Sequence, residues 1–146
     1  MKLPTDVEFH EDIHLFIYRP RGLLNQSGIN KVISILGDLE ASQKEPFDRF
    51  ADSVLTDAVD LNFRYMIHVS LYRRLTYMGR PPIKSALLAT NETLVHYGKL
   101  HAVLTQGSPI NFRIFQNRED VAEWLNVPIE RLMPPDLTSQ SSGDAK

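Results

Sequence analysis

Hydrophobic and polar positions alternate in the first part of the chain. Residues 7–10 and 13–18 follow a period of two, which predicts two strands joined by a tight turn at 11–12. In the second strand both faces carry apolar side chains, since Leu15 falls on one side and Phe16 on the other. We therefore expect this strand to be covered on both faces of its sheet.

Later segments place apolar residues three or four positions apart, which is the spacing of one face of a helix. This pattern predicts helices over 27–42, 63–78, 92–106 and 117–128, while short apolar runs predict strands over 47–51, 83–89 and 110–115. The segment 52–62 is rich in Asp, Ser and Thr and predicts a loop. In the helix over 63–78 the aromatic residues Phe63, Tyr65 and Tyr72 could serve an interface, but for Phe63 we expect core packing.

Polar residues mark the helix ends. Asn25 or Ser27 can cap the first helix, Asp60 or Asn62 the second, and Asn117 the fourth. Gly79 is expected to end the second helix in a left-handed conformation.

The order of these elements predicts an α/β fold. Strands that alternate with helices in one short chain predict a single mixed, mostly parallel sheet of four to five strands, with helices packed on it. The opening hairpin supplies the antiparallel edge of this sheet. Residues 1–133 are expected to form one domain, and residues 134–146, which contain Pro, Ser, Gly and Asp, a disordered tail.

Composition and charge narrow the function classes. The chain has 146 residues, no cysteine and a formal net charge of −2. It therefore has no disulfide framework, thiolate zinc site or cysteine nucleophile, and the lack of a basic excess argues against nucleic-acid binding. Apolar runs are too short to span a bilayer and the first residues do not form a secretory signal, so we expect a cytoplasmic protein without membrane insertion.

Sequence motifs for cofactors and nucleophiles are absent. The chain has no glycine-rich phosphate loop and no serine elbow. Of its five histidines, His96 and His101 are five positions apart and so face different ways on a helix, and His10 and His14 flank the predicted hairpin turn without an evident third ligand. We predict neither a cofactor nor a metal.

Two groups of charged residues are candidates for chemistry. Asp52, Asp57 and Asp60 crowd the predicted loop, where they are interpreted as turn-forming and capping residues; an enzyme would use one of them as an acid or base beside Arg74 or Lys84. The helix dipole stabilises basic side chains near the C-terminal end of a helix, and this is how we interpret those at the end of the second helix. The alternative interpretation is that they form an anion-binding patch. The patch would consist of Arg73, Arg74, Arg80 and Lys84.

Several short motifs, in the right order, resemble the STAS-like proteins of the SpoIIAA-like group. They lie at 18–22, 80–86, 107–115 and 119–125, and the resemblance covers residues 7–127. It implies a four- to five-stranded sheet flanked by helices and regulation through a protein partner. The antagonists of this group carry a phosphorylated serine at the start of the second helix.

This chain departs from the group at that serine. In the matching stretch Val59-Asp60-Leu61-Asn62, leucine occupies the phosphoacceptor position and cannot take a phosphate. Ser53 and Thr56 lie upstream in the same segment as other hydroxyl groups. The resemblance therefore implies a partner surface without the family's phosphorylation switch.

The leading hypothesis is a non-catalytic regulatory module that binds a protein partner or a second copy of itself through the loop over 57–62 and the face of the helix that starts at Phe63. By family position, the binding residues are Asp57, Asp60, Leu61, Asn62 and Tyr65. Two alternatives stay open. The first is a carrier of a lipid or small apolar ligand, which distant relatives of this architecture suggest, and the second is an enzyme that uses the loop aspartates.

Overall fold

The computed structural model describes residues 2–135 of the chain. In chain order, the strands are β1 (Val7–His10), β2 (Leu15–Tyr18), β3 (Gly22–Asn25), β4 (Asp48–Asp52), β5 (Thr56–Asp60), β6 (Ile83–Leu88) and β7 (Ile110–Phe115). The helices are α1 (Gln26–Ser42), α2 (Phe63–Tyr77), α3 (Glu92–Leu104) and α4 (Arg118–Leu125), and short 3-10 helices span Glu11–Ile13 and Ile129–Leu132.

Five strands form the main sheet in the order β1-β2-β4-β6-β7. β1 pairs with β2 antiparallel, and the other three pairs are parallel, which confirms the predicted mixed sheet and its hairpin. Parallel neighbours need a crossover connection between them. α1, α2 and α3 supply these connections in turn.

The two faces of the sheet have different coverings. On one face, Ile17, Phe50 and Leu88 pack against Val121 and Leu125 of α4. On the other face, strand residues such as Phe16 and Leu87 pack under the helices that connect the strands. The prediction that β2 is covered on both faces is confirmed, since Leu15 and Phe16 are both buried. We call these two sides the α4 face and the three-helix face.

The predicted loop over 52–62 contains strand β5. It pairs in parallel with β3, which the sequence did not predict, so that Leu24 lies opposite Val59 and Asn25 opposite Asp60. These two strands form a separate two-stranded sheet. The loop prediction was wrong because pairing partners far apart along the chain outweighed the low strand propensity of Asp and Ser.

Asparagine caps all four helices. Oδ1 of Asn25, Asn62, Asn91 and Asn117 each accepts a hydrogen bond from a backbone N–H in the first turn of its helix. Gly79 follows α2 with φ of 81°, as predicted for a left-handed terminal residue.

The described part of the chain ends just inside the predicted tail. Leu132 is completely buried and Pro134 is buried as well. The prediction of disorder for 136–146 lies outside the described residues. Within residues 2–135, no helix combines the length and the apolar character needed to cross a membrane.

Candidate functional site

The start of α2 is held by contacts at its first turn. Asn62 Oδ1 accepts from the Tyr65 backbone N–H at 2.8 Å. The Tyr65 hydroxyl donates to Gln26 O at 3.2 Å and to Asn30 Oδ1 at 2.5 Å, at the start of α1. Burial raises the pKa of Tyr65, so its hydroxyl keeps the proton that it donates. The two helix starts are therefore fixed to each other.

The five residues predicted to bind a partner lie along β5 and the first turn of α2. Asp57, Asp60 and Asn62 are exposed, whereas Leu61 and Tyr65 are half-buried. Leu61 packs near Leu94 of α3, and its carbonyl accepts from the Tyr97 hydroxyl at 2.9 Å. The exposed acidic groups are thus at the N-terminal end of α2.

The hydroxyl groups upstream are engaged with backbone carbonyls. Ser53 Oγ donates to Leu88 O at 2.7 Å, and Thr56 Oγ1 donates to Pro20 O at 3.0 Å. Phosphorylation of either residue would remove a contact between neighbouring segments of the fold.

An apolar row runs along the outer surface of α2. Its members are four positions apart and therefore form one line on the helix. They are Phe63, Ile67, Leu71 and Leu75, and we call them the α2 row. Phe63 is 58% exposed and Leu75 is 74% exposed, and the other two are also exposed. The prediction that Phe63 packs into the core was wrong.

A different face of α2 packs inward. It consists of Met66, Val69, Ser70, Arg73 and Tyr77, which also have helical spacing. Two of its members make polar contacts inside the fold, because Ser70 Oγ lies 2.7 Å from His101 Nδ1 and Arg73 Nη2 donates to Glu40 Oε2 at 2.9 Å. α2 therefore has apolar residues on two sides. The buried side has fewer of these residues, and it also carries Ser70 and Arg73, which make polar contacts inside the fold.

The four basic residues of the predicted anion patch do not form one cluster, although Arg73 and Arg80 both lie against the Tyr77 ring. Arg73 is buried beside Glu40, and Arg74 Nη1 donates to Leu104 O and Gln106 O at the end of α3. The remaining two also separate. Arg80 lies 5.5 Å from the Tyr77 ring, and Lys84, on the α4 face, donates to Trp124 O at 2.8 Å.

Asp52 is the best-connected carboxylate of the molecule's α4 face. It ends β4, is 1% exposed, and its Oδ2 accepts from Arg19 Nη1 at 2.7 Å and from Arg118 Nη2 at 2.8 Å. Arg19 Nε also donates to Glu8 Oε2 at 2.7 Å. Asp57 and Asp60, by contrast, are exposed on β5. The three aspartates therefore do not form one catalytic cluster.

Sequence reasoning missed Arg19 and Arg118 as partners of Asp52. A signal existed for Arg19, because it follows β2 and Asp52 ends the neighbouring strand β4. The carboxyl ends of neighbouring parallel strands meet at one edge of a sheet. Charged residues immediately after two predicted strands could thus have been paired from the sequence.

Two adjoining cavities lie on the three-helix face. They have volumes of about 160 Å³ and 170 Å³. Both are lined by apolar residues of the sheet and helices, among them Ile29, Val32, Val69 and Phe112. Arg49 and Arg73 line the smaller cavity, whereas the larger one has no Asp, Glu, Lys or Arg in its lining.

His101 lines both cavities and is neutral at neutral pH. Burial and the nearby Arg73 charge lower the pKa of this imidazole to about 4. In residues 2–135, His101 pairs with the Ser70 hydroxyl but with no carboxylate, so the pair lacks the third group that orients a catalytic histidine. Over the same part of the chain, no three His, Asp or Glu side chains are grouped so as to hold a metal ion.

Comparison with known proteins finds similarity to solved structures and none to family models or curated sequences. No family model matches the sequence, and no curated protein is similar to it. The fold is similar to that of an uncharacterized protein from the DUF3478 family, with a SpoIIAA-like fold, from Shewanella loihica PV-4. The TM-score is 0.52 at 15% sequence identity, over 82% of this chain and 89% of that chain. The chain therefore has a SpoIIAA-like fold, as its motifs predict, and at this identity the similarity extends to the fold alone.

Proposed function

We propose that this protein is a non-catalytic interaction module that binds an acidic, amphipathic helix of a partner protein along α2. The observation that carries the proposal is the α2 row, four large apolar side chains left exposed on one helix. A contiguous exposed apolar surface of this kind marks an interaction site. Helical partners bind such surfaces through their own apolar face.

The charges around the α2 row support an acidic partner. α2 contains no acidic side chain, although the chain as a whole has a net charge of −2. Arg64 is exposed on α2, Arg74 is half-buried, and Arg80 is exposed just after it. Acidic residues that flank the partner's apolar face would match these cations, and complementary charges favour encounter and register.

The charges at the two ends of α2 predict the orientation of the bound helix. Asp57 and Asp60 are exposed near the N-terminal end of α2, while Arg74 and Arg80 lie at its C-terminal end. A bound helix would place its most acidic end near the two arginines and away from the aspartates. Its orientation along α2 is therefore fixed by charge.

We propose a non-catalytic protein because none of the three candidate aspartates, Asp52, Asp57 and Asp60, has the surroundings of a general acid or base. Oδ2 of Asp52 accepts from the guanidinium groups of Arg19 and Arg118, and its Oδ1 accepts from the Val54 backbone N–H, so both oxygen atoms are engaged within the fold. Asp57 and Asp60 are exposed, without the dry pocket that a general acid or base requires. Neither Arg74 nor Lys84 contacts any of them.

A designed helical peptide tests the proposal directly. The peptide carries Leu at i, i+3, i+4 and i+7 and Glu at its other surface positions. Its binding to the full chain is measured by fluorescence anisotropy. We expect binding that a scrambled peptide of the same composition, or one with Lys in place of Glu, does not show.

Variants locate the binding surface. Leu71→Glu should weaken peptide binding at least tenfold, because it places a charge in the centre of the α2 row. Val103→Glu is the matched control, since Val103 is 66% exposed but lies on α3, and it should bind as the wild type does. Equal effects of the two variants, or equal binding of the scrambled peptide, would contradict the proposal.

Other occupants of the α2 row give distinct results. Sedimentation of the chain alone as a dimer that Leu71→Glu dissociates would replace the partner with a second copy. Binding to vesicles of anionic lipid, lost in the same variant, would replace it with a membrane surface. Either result would overturn the acidic helix as the ligand of α2.

A further inference from the structure

A cluster of three charged side chains is buried on the three-helix face. Arg49 Nη2 donates to Glu40 Oε2 at 2.7 Å, and Arg73 Nη2 donates to the same oxygen at 2.9 Å. Arg49 is 6% exposed, Arg73 is 7% exposed, and the Glu40 side chain is 8% exposed. Within residues 2–135, no other carboxylate forms an ion pair with either arginine.

This cluster has an unbalanced charge. It contains two guanidinium groups and one carboxylate, and the neighbouring His101 is neutral at neutral pH. Burial opposes ionisation of Glu40, but the two arginines outweigh it and lower the pKa of Glu40, so the carboxylate is charged. The cluster therefore has a net charge of +1. A buried charge without a counter-charge is strongly unfavourable.

Arg49 has a free hydrogen-bond donor. Its guanidinium carbon lies 4.6 Å from the centre of the Phe47 ring and 5.0 Å from that of Tyr77. In the described part of the chain, Arg49 Nε is the one buried side-chain nitrogen or oxygen that lacks a hydrogen-bond partner. Buried polar groups in native proteins nearly always have such a partner, whether protein, water or ligand.

The unbalanced cluster borders an apolar space. Arg49 and Arg73 line the smaller cavity, whose other walls include Val32, Val69 and Phe112. An apolar cavity of roughly 150 Å³ stays dry and accepts a group the size of benzene. The smaller cavity has about this volume, and the larger one continues from it along shared walls.

We propose that the two adjoining cavities bind a small amphipathic monoanion, a carboxylate with an apolar tail. Its carboxylate accepts a hydrogen bond from Arg49 and neutralises the cluster. Its tail occupies the space between Val32, Val69 and Phe112. This site is separate from the α2 row, and the inference stands whether or not α2 binds a partner.

Head-group preference in the wild-type chain is the first test. Octanoate and octanol have tails of the same length but differ in charge, and their binding is measured by isothermal titration calorimetry. We expect octanoate to bind at least tenfold more tightly than octanol. Acetate, which has the charge but no tail, should bind at least tenfold more weakly than octanoate.

Two arginine variants then assign the preference to Arg49. Arg49→Met should reduce the ratio of the octanoate to the octanol affinity to about one. Arg113→Met is the matched control, because Arg113 lies on β7 and contacts Trp124 on the α4 face. It should leave the preference unchanged.

A third variant locates the tail. Ala51 lines both cavities, so Ala51→Leu should fill part of them and weaken octanoate and octanol together.

Several results would overturn the inference. Equal binding of octanoate and octanol to the wild type would show an apolar site without an anion position. Failure of both to bind would leave bound water as the partner of Arg49. Because the head-group comparison needs no variant, it decides the matter even if Arg49→Met does not fold.

Discussion

The sheet separates two buried clusters of charged residues that differ in charge balance. On the α4 face, Asp52 accepts from Arg19 and Arg118, and Glu8 also accepts from Arg19, so two acids meet two bases. On the three-helix face, Glu40 alone meets Arg49 and Arg73. Both clusters are rich in arginine, and both border a cavity, since Arg118 lines one of about 320 Å³ and Arg49 and Arg73 line the smaller cavity of the three-helix face.

The comparison distinguishes the Asp52 cluster, which stabilises the fold, from the Glu40 cluster, which is a candidate binding site. The balanced Asp52 cluster connects β1, β2, β4 and α4, and its charges are neutralised within the protein. The Glu40 cluster leaves a positive charge and an unpartnered donor beside a largely apolar cavity. Burial, residue type and an adjoining cavity do not separate the two cases; the charge balance and the unpartnered Arg49 Nε do.

The largest effect is expected from breaking the balanced cluster. Asp52→Ala leaves Arg19 and Arg118 buried without their shared carboxylate and should lower the free energy of unfolding by about 3–5 kcal/mol. Urea unfolding followed by circular dichroism measures the change. Asp57→Ala, at an exposed position, should change it by less than about 0.5 kcal/mol. Similar values for the two variants would show that the Asp52 pairs contribute little.

The cavity side should determine the response to mild acid. Since the pKa of His101 is about 4 in the folded chain and about 6.5 when unfolded, the unfolded state binds more protons between these values. Stability is therefore complete above about pH 6.5 and falls by about 3 kcal/mol as the pH decreases to 4. Urea unfolding across this range measures the slope.

Two histidine variants test whether His101 causes this pH dependence of stability. His101→Asn should remove most of the pH dependence, although it also lowers stability at pH 7. His96→Asn, at an exposed position of the same helix, should retain the full slope. An unchanged slope in His101→Asn would place the titrating group elsewhere.

The fold was largely predictable because its signals are local. The period-two alternation of β2 and the asparagine caps arise from neighbouring residues, and both are found as expected. β3 and β5 were not predicted, because their pairing joins segments about 35 positions apart. No local pattern in the Asp-rich segment indicates that partner.

The candidate sites were less predictable than the fold. α2 has helical apolar spacing on two sides, so periodicity alone cannot tell which one is buried. The sequence also gave no reason to pair Glu40 with Arg49 and Arg73, which come from α1, β4 and α2. Charge balance is a property of the folded arrangement, and it appears only when these elements are placed together.

The smallest effect, and the sharpest contrast, comes from removing one arginine from each cluster. Arg118→Met leaves Asp52 with one guanidinium and should lower the free energy of unfolding by about 1–3 kcal/mol. Arg49→Met removes the surplus charge and leaves Glu40 paired with Arg73, so the change should be within about 1 kcal/mol, in either direction.

Added octanoate should stabilise Arg118→Met and Arg49→Met by different amounts. A ligand at a hundred times its dissociation constant stabilises the folded state by about 2.7 kcal/mol. Octanoate at that concentration should raise the unfolding free energy of the wild type and of Arg118→Met alike, because both keep the Glu40 cluster intact. Arg49→Met should gain much less, since its cluster is already neutral. If octanoate stabilised all three chains equally, the two clusters would not differ in the way that their charges indicate.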